Sequence, residues 1–148
     1  MCDYCGCRTR HLIADLGEEH ARISAMIASI RAALDRGEPS DELRDALEAV
    51  LAPHSELEET GLYVELAAIG LDTERLATEH HHVDQALAGH DPDQVRHALD
   101  VLATHIHIEE FDLFPAAHQL LDDEAWDRLD EHHHAWQHRH GRAHHHPG

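Results

Sequence analysis

Apolar residues recur along the chain at spacings of three and four positions, which is the pattern of a helix that buries one face. Gly and Pro residues separate these apolar stripes, since Gly suits a helix end and Pro cannot continue the hydrogen-bond ladder. Four stripes run from His11 to about Gly37, from about Asp41 to Ile69, between Thr73 and Gly89, and from Pro92 to about Leu121. Short connections between four long amphipathic helices predict an up-down-up-down four-helix bundle.

Further positions complete this picture of the fold. The second stripe is predicted to bury Leu43, Leu47, Val50, Leu62 and Ile69. Residues 122–140 predict a short fifth helix that lays Trp126, Leu129, His133 and Trp136 against the bundle. Because no segment has the pattern of a strand, we expect an all-α protein in three parts. These parts are a Cys-rich N-terminal segment at 1–10, the bundle at 11–121, and a short helix with a His-rich tail at 122–148.

Polar residues occupy several buried positions that packing alone would give to Leu or Ile. They follow a rough internal duplication, in which each half has Glu-His on one helix and His-x3-Glu-Glu-x2-Leu-aromatic on the next. The polar positions that the two halves share are His20, His54 and Glu58 in the first half and His80, His105 and Glu109 in the second. The aromatic residues Tyr63 and Phe114 are expected to close the core, and Glu59 and Glu110 to lie outside the cluster.

The spacing of these residues favours metal binding. Residues four apart on a helix are neighbours, so each His-x3-Glu pair can reach one metal ion. Four packed helices would bring four imidazoles and two carboxylates together in the interior. Burying such a cluster without a cation would be costly. Imidazole with carboxylate suits iron, zinc or manganese, and two carboxylates for two ions suggest that each Glu bridges.

Composition narrows the function classes. The 148 residues include 11 basic residues, all Arg, against 30 acidic ones, so the formal charge of −19 disfavours a nucleic-acid partner. No run of about 18 apolar residues is present to span a membrane. No basic segment followed by an apolar one marks a signal peptide. We therefore expect a cytoplasmic protein with no membrane partner.

Residues 11 to about 121 resemble the hemerythrin-like, HHE cation-binding family, whose motif is His followed by His-x3-Glu, given twice along a four-helix bundle. The resemblance implies a non-haem di-iron centre, with two irons joined by an oxo or hydroxo bridge, that binds or reacts with O2, NO or peroxide. Sensing and peroxidase- or catalase-like detoxification both remain open, as do a protein partner and a reductant. The ligands that it implies are His20, His54, Glu58, His80, His105 and Glu109.

The chain departs from the oxygen-carrying hemerythrins at two places. Their third helix carries a His-x3-His pair, whereas the positions four before and four after His80 are Leu76 and Asp84. Five residues after His105, where those proteins have Asp, stands Glu110, which competes with Glu109 for the bridging role. Reversible oxygen carriage is therefore not expected, and Asp84 or His81 is a candidate to complete the coordination.

Two other groups of potential metal ligands lie near the chain ends. Cys2, Cys5 and Cys7 with His11 could form a zinc site, or could be an exposed end without such a role. Eight of the last 17 residues are His, a composition that chelates metal ions from solution. These groups support an alternative function as a metal-ion buffer or chaperone.

Overall fold

The computed structural model describes residues 11–140, and this part of the chain is helical with no strand. Two of its helical rods each contain a short π-helical turn. The first π segment is Glu58–Leu62 and the second is Glu109–Leu113. The α-helices are α1 (His11–Asp35), α2 (Asp41–Leu57), α3 (Tyr63–Ala68), α4 (Glu74–Ala88), α5 (Pro92–Ile108), α6 (Phe114–Leu120) and α7 (Asp123–Arg139).

These elements agree with the predicted helices once the π segments are included. The second predicted helix is α2, the first π segment and α3 in one rod, and the fourth is α5, the second π segment and α6. The N-terminus of α5 is well capped. The Asp91 side chain accepts a hydrogen bond from the Asp93 N–H, and Pro92 occupies the first helical position. The alternating direction of the four rods stays a prediction.

The long helices pack in a closed ring, in which α1 contacts α2 and α5, and α4 contacts α2 and α5. Their buried apolar side chains form two separate clusters, one around Leu16 and the other around Ile23. His20 lies between these two residues on α1. The same order holds on α4, where His80 lies between Leu76 of one cluster and Val83 of the other. A buried polar layer is therefore held between two apolar layers.

Three sequence expectations about the periphery were wrong. Leu43 is 38% exposed and Ile69 is 47% exposed, although both were predicted to be buried. Leu43 lies in the first turn of α2, near the end of the bundle, and Ile69 follows the first π segment. Ile69 lies just past the last residue of α3, Ala68, where the backbone has left the helical conformation and the buried face ends. The fifth helix is not short, because α7 has 17 residues, as many as α5.

Helix α7 is part of the packed structure. It contacts α1 and the first π segment, and Trp126, Leu129 and Trp136 belong to the same apolar cluster as Leu16. All four residues predicted to face the bundle, including His133, are buried. None of the helices formed by residues 11–140 is long and apolar enough to cross a bilayer.

Candidate metal centre

The six polar residues predicted from the duplication come together in the buried layer. Each is at most 5% exposed, and Glu58 and Glu109 are fully enclosed. Their ligand atoms form two quartets within which all atoms lie within 4.8 Å of one another. The His20–His54 quartet contains these two residues with Glu58 and Glu109, and the His80–His105 quartet contains its two His residues with the same two carboxylates.

Each carboxylate turns one oxygen toward the His20–His54 pair and the other toward the His80–His105 pair. Glu58 Oε2 lies 3.3 Å from His54 Nε2, and Glu58 Oε1 lies 3.1 Å from His80 Nε2. Glu109 Oε1 lies 3.0 Å from His20 Nε2, and Glu109 Oε2 lies 3.4 Å from His105 Nε2. This arrangement is the one that two carboxylates need in order to bridge two cations.

The other ring nitrogen of every His donates to a carboxylate outside the quartets. Nδ1 of His20, His54, His80 and His105 lies 2.6, 2.6, 2.6 and 2.9 Å from an oxygen of Glu110, Glu19, Glu59 and Glu79, respectively. With its proton committed to Nδ1, the neutral imidazole keeps the Nε2 lone pair inward for a cation.

This outer layer explains the rest of the duplication. The Glu before the first His of each half contacts the second His of the same half, as Glu19 does with His54. The Glu that follows the shared Glu of each half contacts the first His of the other half, as Glu59 does with His80. Glu19 and Glu79 were not predicted to be site residues. The sequence signal that could have identified them is the Glu-His pair that occurs in both halves. Glu59 and Glu110 lie outside the quartets, as expected.

Both π segments begin at one of the two carboxylates that the quartets share, Glu58 in one rod and Glu109 in the other. π turns inside α-helices occur frequently at functional sites, because the extra residue redirects side chains. Here each π segment places one Glu inward and the following Glu against a His from another helix. Pro115 lies after the second π segment, whereas the Pro of the first rod, Pro53, lies before its π segment, so the two segments do not share one Pro position.

Tyr63 also belongs to the site, whereas the sequence favoured a packing role for it. Its hydroxyl donates to Glu109 Oε2 at 2.5 Å and lies 3.3 Å from Glu58 Oε1 and from His105 Nε2. Its ring stacks on His80 at a centroid distance of 5.8 Å. The sequence offered no signal for the hydroxyl beyond the position of Tyr63 in the motif.

The cluster perturbs the pKa values of its members. Burial lowers the pKa of the His20 imidazole, but hydrogen bonds and charges from Glu109 and Glu58 outweigh this effect and raise the pKa to about 10. Burial likewise opposes the charged form of His54, yet Glu58 and Glu19 raise its pKa to about 9. In the absence of a cation, the His20 and His54 imidazoles are therefore protonated on both ring nitrogens and positively charged at neutral pH.

Glu58, His105 and Tyr63 also have shifted pKa values. Burial favours the neutral form of Glu58, but the His54 charge and hydrogen bonds from three His side chains hold its pKa well below the usual value. The pKa of His105 is raised despite burial, chiefly by Glu109. Burial and the charges of Glu58 and Glu109 raise the pKa of Tyr63 well above the usual value, so its hydroxyl stays protonated.

Residues 11–140 fit a pair of metal ions. Within this range, His20 Nε2, Glu58 Oε2 and Glu109 Oε1 are buried and face one another in the His20–His54 quartet, with no polar group outside the quartet to satisfy them. Two carboxylates buried this closely together are costly, and a cation between them and the imidazoles would offset that cost. Two imidazoles and two carboxylates per quartet are ligands that suit iron, zinc or manganese.

Other predicted ligands lie apart from the quartets. Neither Asp84 nor His81 is a member, although both line a cavity together with His80. His11 is exposed at the start of α1, while Cys2, Cys5 and Cys7 lie outside the described residues.

Two His side chains of α7 make other contacts, His132 with Thr60 and His133 with Asp15, and His140, which follows α7, contacts Glu56. No His of α7 joins a metal-binding group within residues 11–140. His144, His145 and His146 of the predicted tail lie outside the described residues.

Comparison with known proteins agrees with this geometry. The family model described as "Hemerythrin HHE cation binding domain" matches residues 11–117, which include both quartets and all four outer carboxylates. No curated protein and no solved structure matches the chain.

Proposed function

Because the chain belongs to the hemerythrin HHE cation-binding domain family, we propose that its two quartets hold two iron ions and that this centre binds or reacts with O2, NO or peroxide. The observation that supports the proposal most directly is that both quartets contain Glu58 and Glu109. Each of these carboxylates has one oxygen near the His20–His54 pair and the other near the His80–His105 pair. Two cations bridged by two carboxylates are the arrangement that these contacts favour.

Each residue has a distinct part in this proposal. His20 and His54 hold one ion, His80 and His105 hold the other, and both carboxylates bridge. The outer carboxylates fix the four rings, and the apolar clusters on either side exclude water from the cluster. Iron, when bound, supplies one-electron redox chemistry toward O2, NO or peroxide.

The imidazoles and Tyr63 are groups that can hold protons at the two quartets. His20 and His54, protonated in the absence of a cation, must release these protons as cations bind. Tyr63 keeps a proton at the His80–His105 quartet. All six members of the quartets are at most 5% exposed, so the centre suits a small ligand rather than a large organic substrate.

Anaerobic loading with Fe²⁺ followed by separate additions of O2, NO and peroxide tests the proposal. We expect the absorption spectrum of the loaded protein to change with at least one of them, and His105→Ala to abolish that change. His107→Ala is the matched control, because His107 lies on the exposed face of the same helix. Repeated consumption of peroxide would indicate turnover, and a single stoichiometric change would indicate sensing. An iron-loaded protein that responds to none of the three would contradict the proposal.

A further inference from the structure

The two quartets differ in one feature that the duplication does not repeat. Tyr63 and Phe114 each follow a bridging Glu by five residues. The Tyr63 ring stacks on His80, and the Phe114 ring stacks on His20 at 5.6 Å. Each quartet is thus covered by one aromatic ring, but only the ring over the His80–His105 quartet has a hydroxyl.

The hydroxyl of Tyr63 is directed at that quartet. The three polar atoms near it are Glu109 Oε2, Glu58 Oε1 and His105 Nε2, at 2.5, 3.3 and 3.3 Å. Each carboxylate has turned this same oxygen toward the His80–His105 side. A cation there would draw on the lone pairs of Glu109 and compete with the hydroxyl for them, which leaves the O–H free to donate to another acceptor.

The surface is open on the same side. A cavity of about 460 Å³ is lined by Tyr63, and a second of about 290 Å³ is lined by His80. Glu59 and Ala77 line both cavities. Neither cavity includes His20 or His54.

The charge of the two cavities selects among small ligands. The larger cavity is also lined by Asp72 and Glu74, and the smaller by Glu56 and Asp84. Carboxylates at both openings repel anions and have little effect on uncharged molecules. An uncharged ligand of two to four atoms matches this route.

We infer that a small uncharged ligand, of the class of O2, NO or hydrogen peroxide, binds at the His80–His105 quartet, where the Tyr63 hydroxyl donates a hydrogen bond to it. The ligand reaches this position past Ala77. This inference rests on the proposed function, since it requires a cation in that quartet. It distinguishes two metal positions that the sequence duplication makes equivalent.

Nitric oxide is the probe for the hydrogen bond, added to reduced, iron-loaded protein of the full chain. Iron content is measured first, so that an unloaded protein would count against the proposed function and not against this inference. Tyr63→Phe is expected to keep its iron and to bind NO about tenfold more weakly, the loss of one hydrogen bond. The N–O stretching frequency is expected to shift between H2O and D2O in the parent protein and not in Tyr63→Phe.

Several outcomes would overturn the assignment. If Tyr63→Phe binds NO with the affinity and the N–O stretching frequency of the parent protein, Tyr63 does not donate a hydrogen bond to the ligand. If Tyr63→Phe leaves both properties unchanged while Phe114→Tyr strengthens NO binding, the ligand binds at the His20–His54 quartet. An intense visible band of the oxidised protein that Tyr63→Phe abolishes would make Tyr63 a metal ligand and not a donor.

The route has its own matched pair of variants. Ala77→Leu fills space in both cavities and is expected to slow NO association at least severalfold, with little change in iron content. Gly17 is the counterpart of Ala77, since each lies three residues before the first His of its half, and a Cβ there would meet only Glu110 at 3.7 Å. Gly17→Leu is expected to leave the association rate unchanged. If Gly17→Leu alone slows association, the ligand enters from the other side.

Discussion

Cation binding should expel protons from the buried cluster, because the imidazole nitrogens that face the carboxylates are protonated without a cation. The pKa of His20 is about 10 and that of His54 is about 9, so both are charged at pH 7.0. Metal ligands must be deprotonated, and each ring must therefore lose one proton. Loading both quartets at pH 7.0 should release at least two protons per chain, with a further contribution from His105, whose pKa is also raised.

The sign of the pH dependence follows from the same values. The protons are bound in the metal-free protein and absent from the loaded one, so raising the pH favours loading. Two protons predict that the product of the two dissociation constants falls about a hundredfold per pH unit near neutrality. This slope should flatten as the pH passes through about 9 and 10, the pKa values of the two rings.

Isothermal titration calorimetry with Zn²⁺, which undergoes no redox reaction, measures the release directly. The titration is repeated at pH 7.0 in buffers of different ionisation enthalpy, and the slope of the observed enthalpy against the buffer enthalpy gives the number of protons. His20→Ala should release about one proton fewer. His133→Ala, a buried His outside the quartets, should not change the number of protons released. A slope near zero in the parent protein would refute the assignment of the buried protons.

Three further substitutions test individual contacts. Glu19→Gln removes the charge that holds His54 Nδ1 at 2.6 Å, and should weaken metal affinity by about 10- to 100-fold, measured by competition with a chelator. Gly61→Ala places a Cβ 2.7 Å from His132 Cδ2, and should lower the free energy of unfolding by about 1–2 kcal/mol in urea denaturation. Arg44→Met removes buried hydrogen bonds to the carbonyls of Leu87 and Gly89, and should lower it by about 2–3 kcal/mol.

Each of these substitutions has a control. Glu18→Gln changes an exposed neighbour of Glu19 and should leave affinity unaltered. The double variant Gly61→Ala/His132→Ala should recover most of the stability that Gly61→Ala loses, because the close contact is gone. Arg36→Met removes an exposed pair with Glu38 and should change stability by about 1 kcal/mol or less. Equal effects of a variant and its control would contradict the role assigned to that contact.

Much of the fold and the inner cluster could be predicted because periodicity and chemistry pointed the same way. On α4, Leu76, Val83 and Leu87 are buried together with His80, as their spacing predicted. A single His on an apolar stripe can be either a core residue or a metal ligand. Its repetition at matched positions in both halves favoured the metal ligand. The helix containing Leu43 and Ile69 was predicted correctly, yet both side chains are exposed.

What could not be predicted depends on distances between helices and on local departures from α geometry. Periodicity assumes 3.6 residues per turn, so the π segments at Glu58–Leu62 and Glu109–Leu113 had no signature in the pattern. The partners of the outer carboxylates follow from which helices are adjacent, and sequence spacing does not give adjacency. The sequence could not show whether Tyr63 only packs or also uses its hydroxyl at the site; the distance from the hydroxyl to Glu109 shows that it does the latter.

The central claim is that Glu58 and Glu109 bridge two iron ions, and the iron content of the full chain tests it most directly. Elemental analysis is performed on the Fe²⁺-loaded protein and on Glu58→Gln/Glu109→Gln, after the same removal of weakly bound metal. The difference between the two counts only the iron that depends on the shared carboxylates, so any ions held by His residues near the C-terminus cancel. If both carboxylates bridge, the parent protein should hold about two more irons per chain than the double variant. A difference near zero would contradict it.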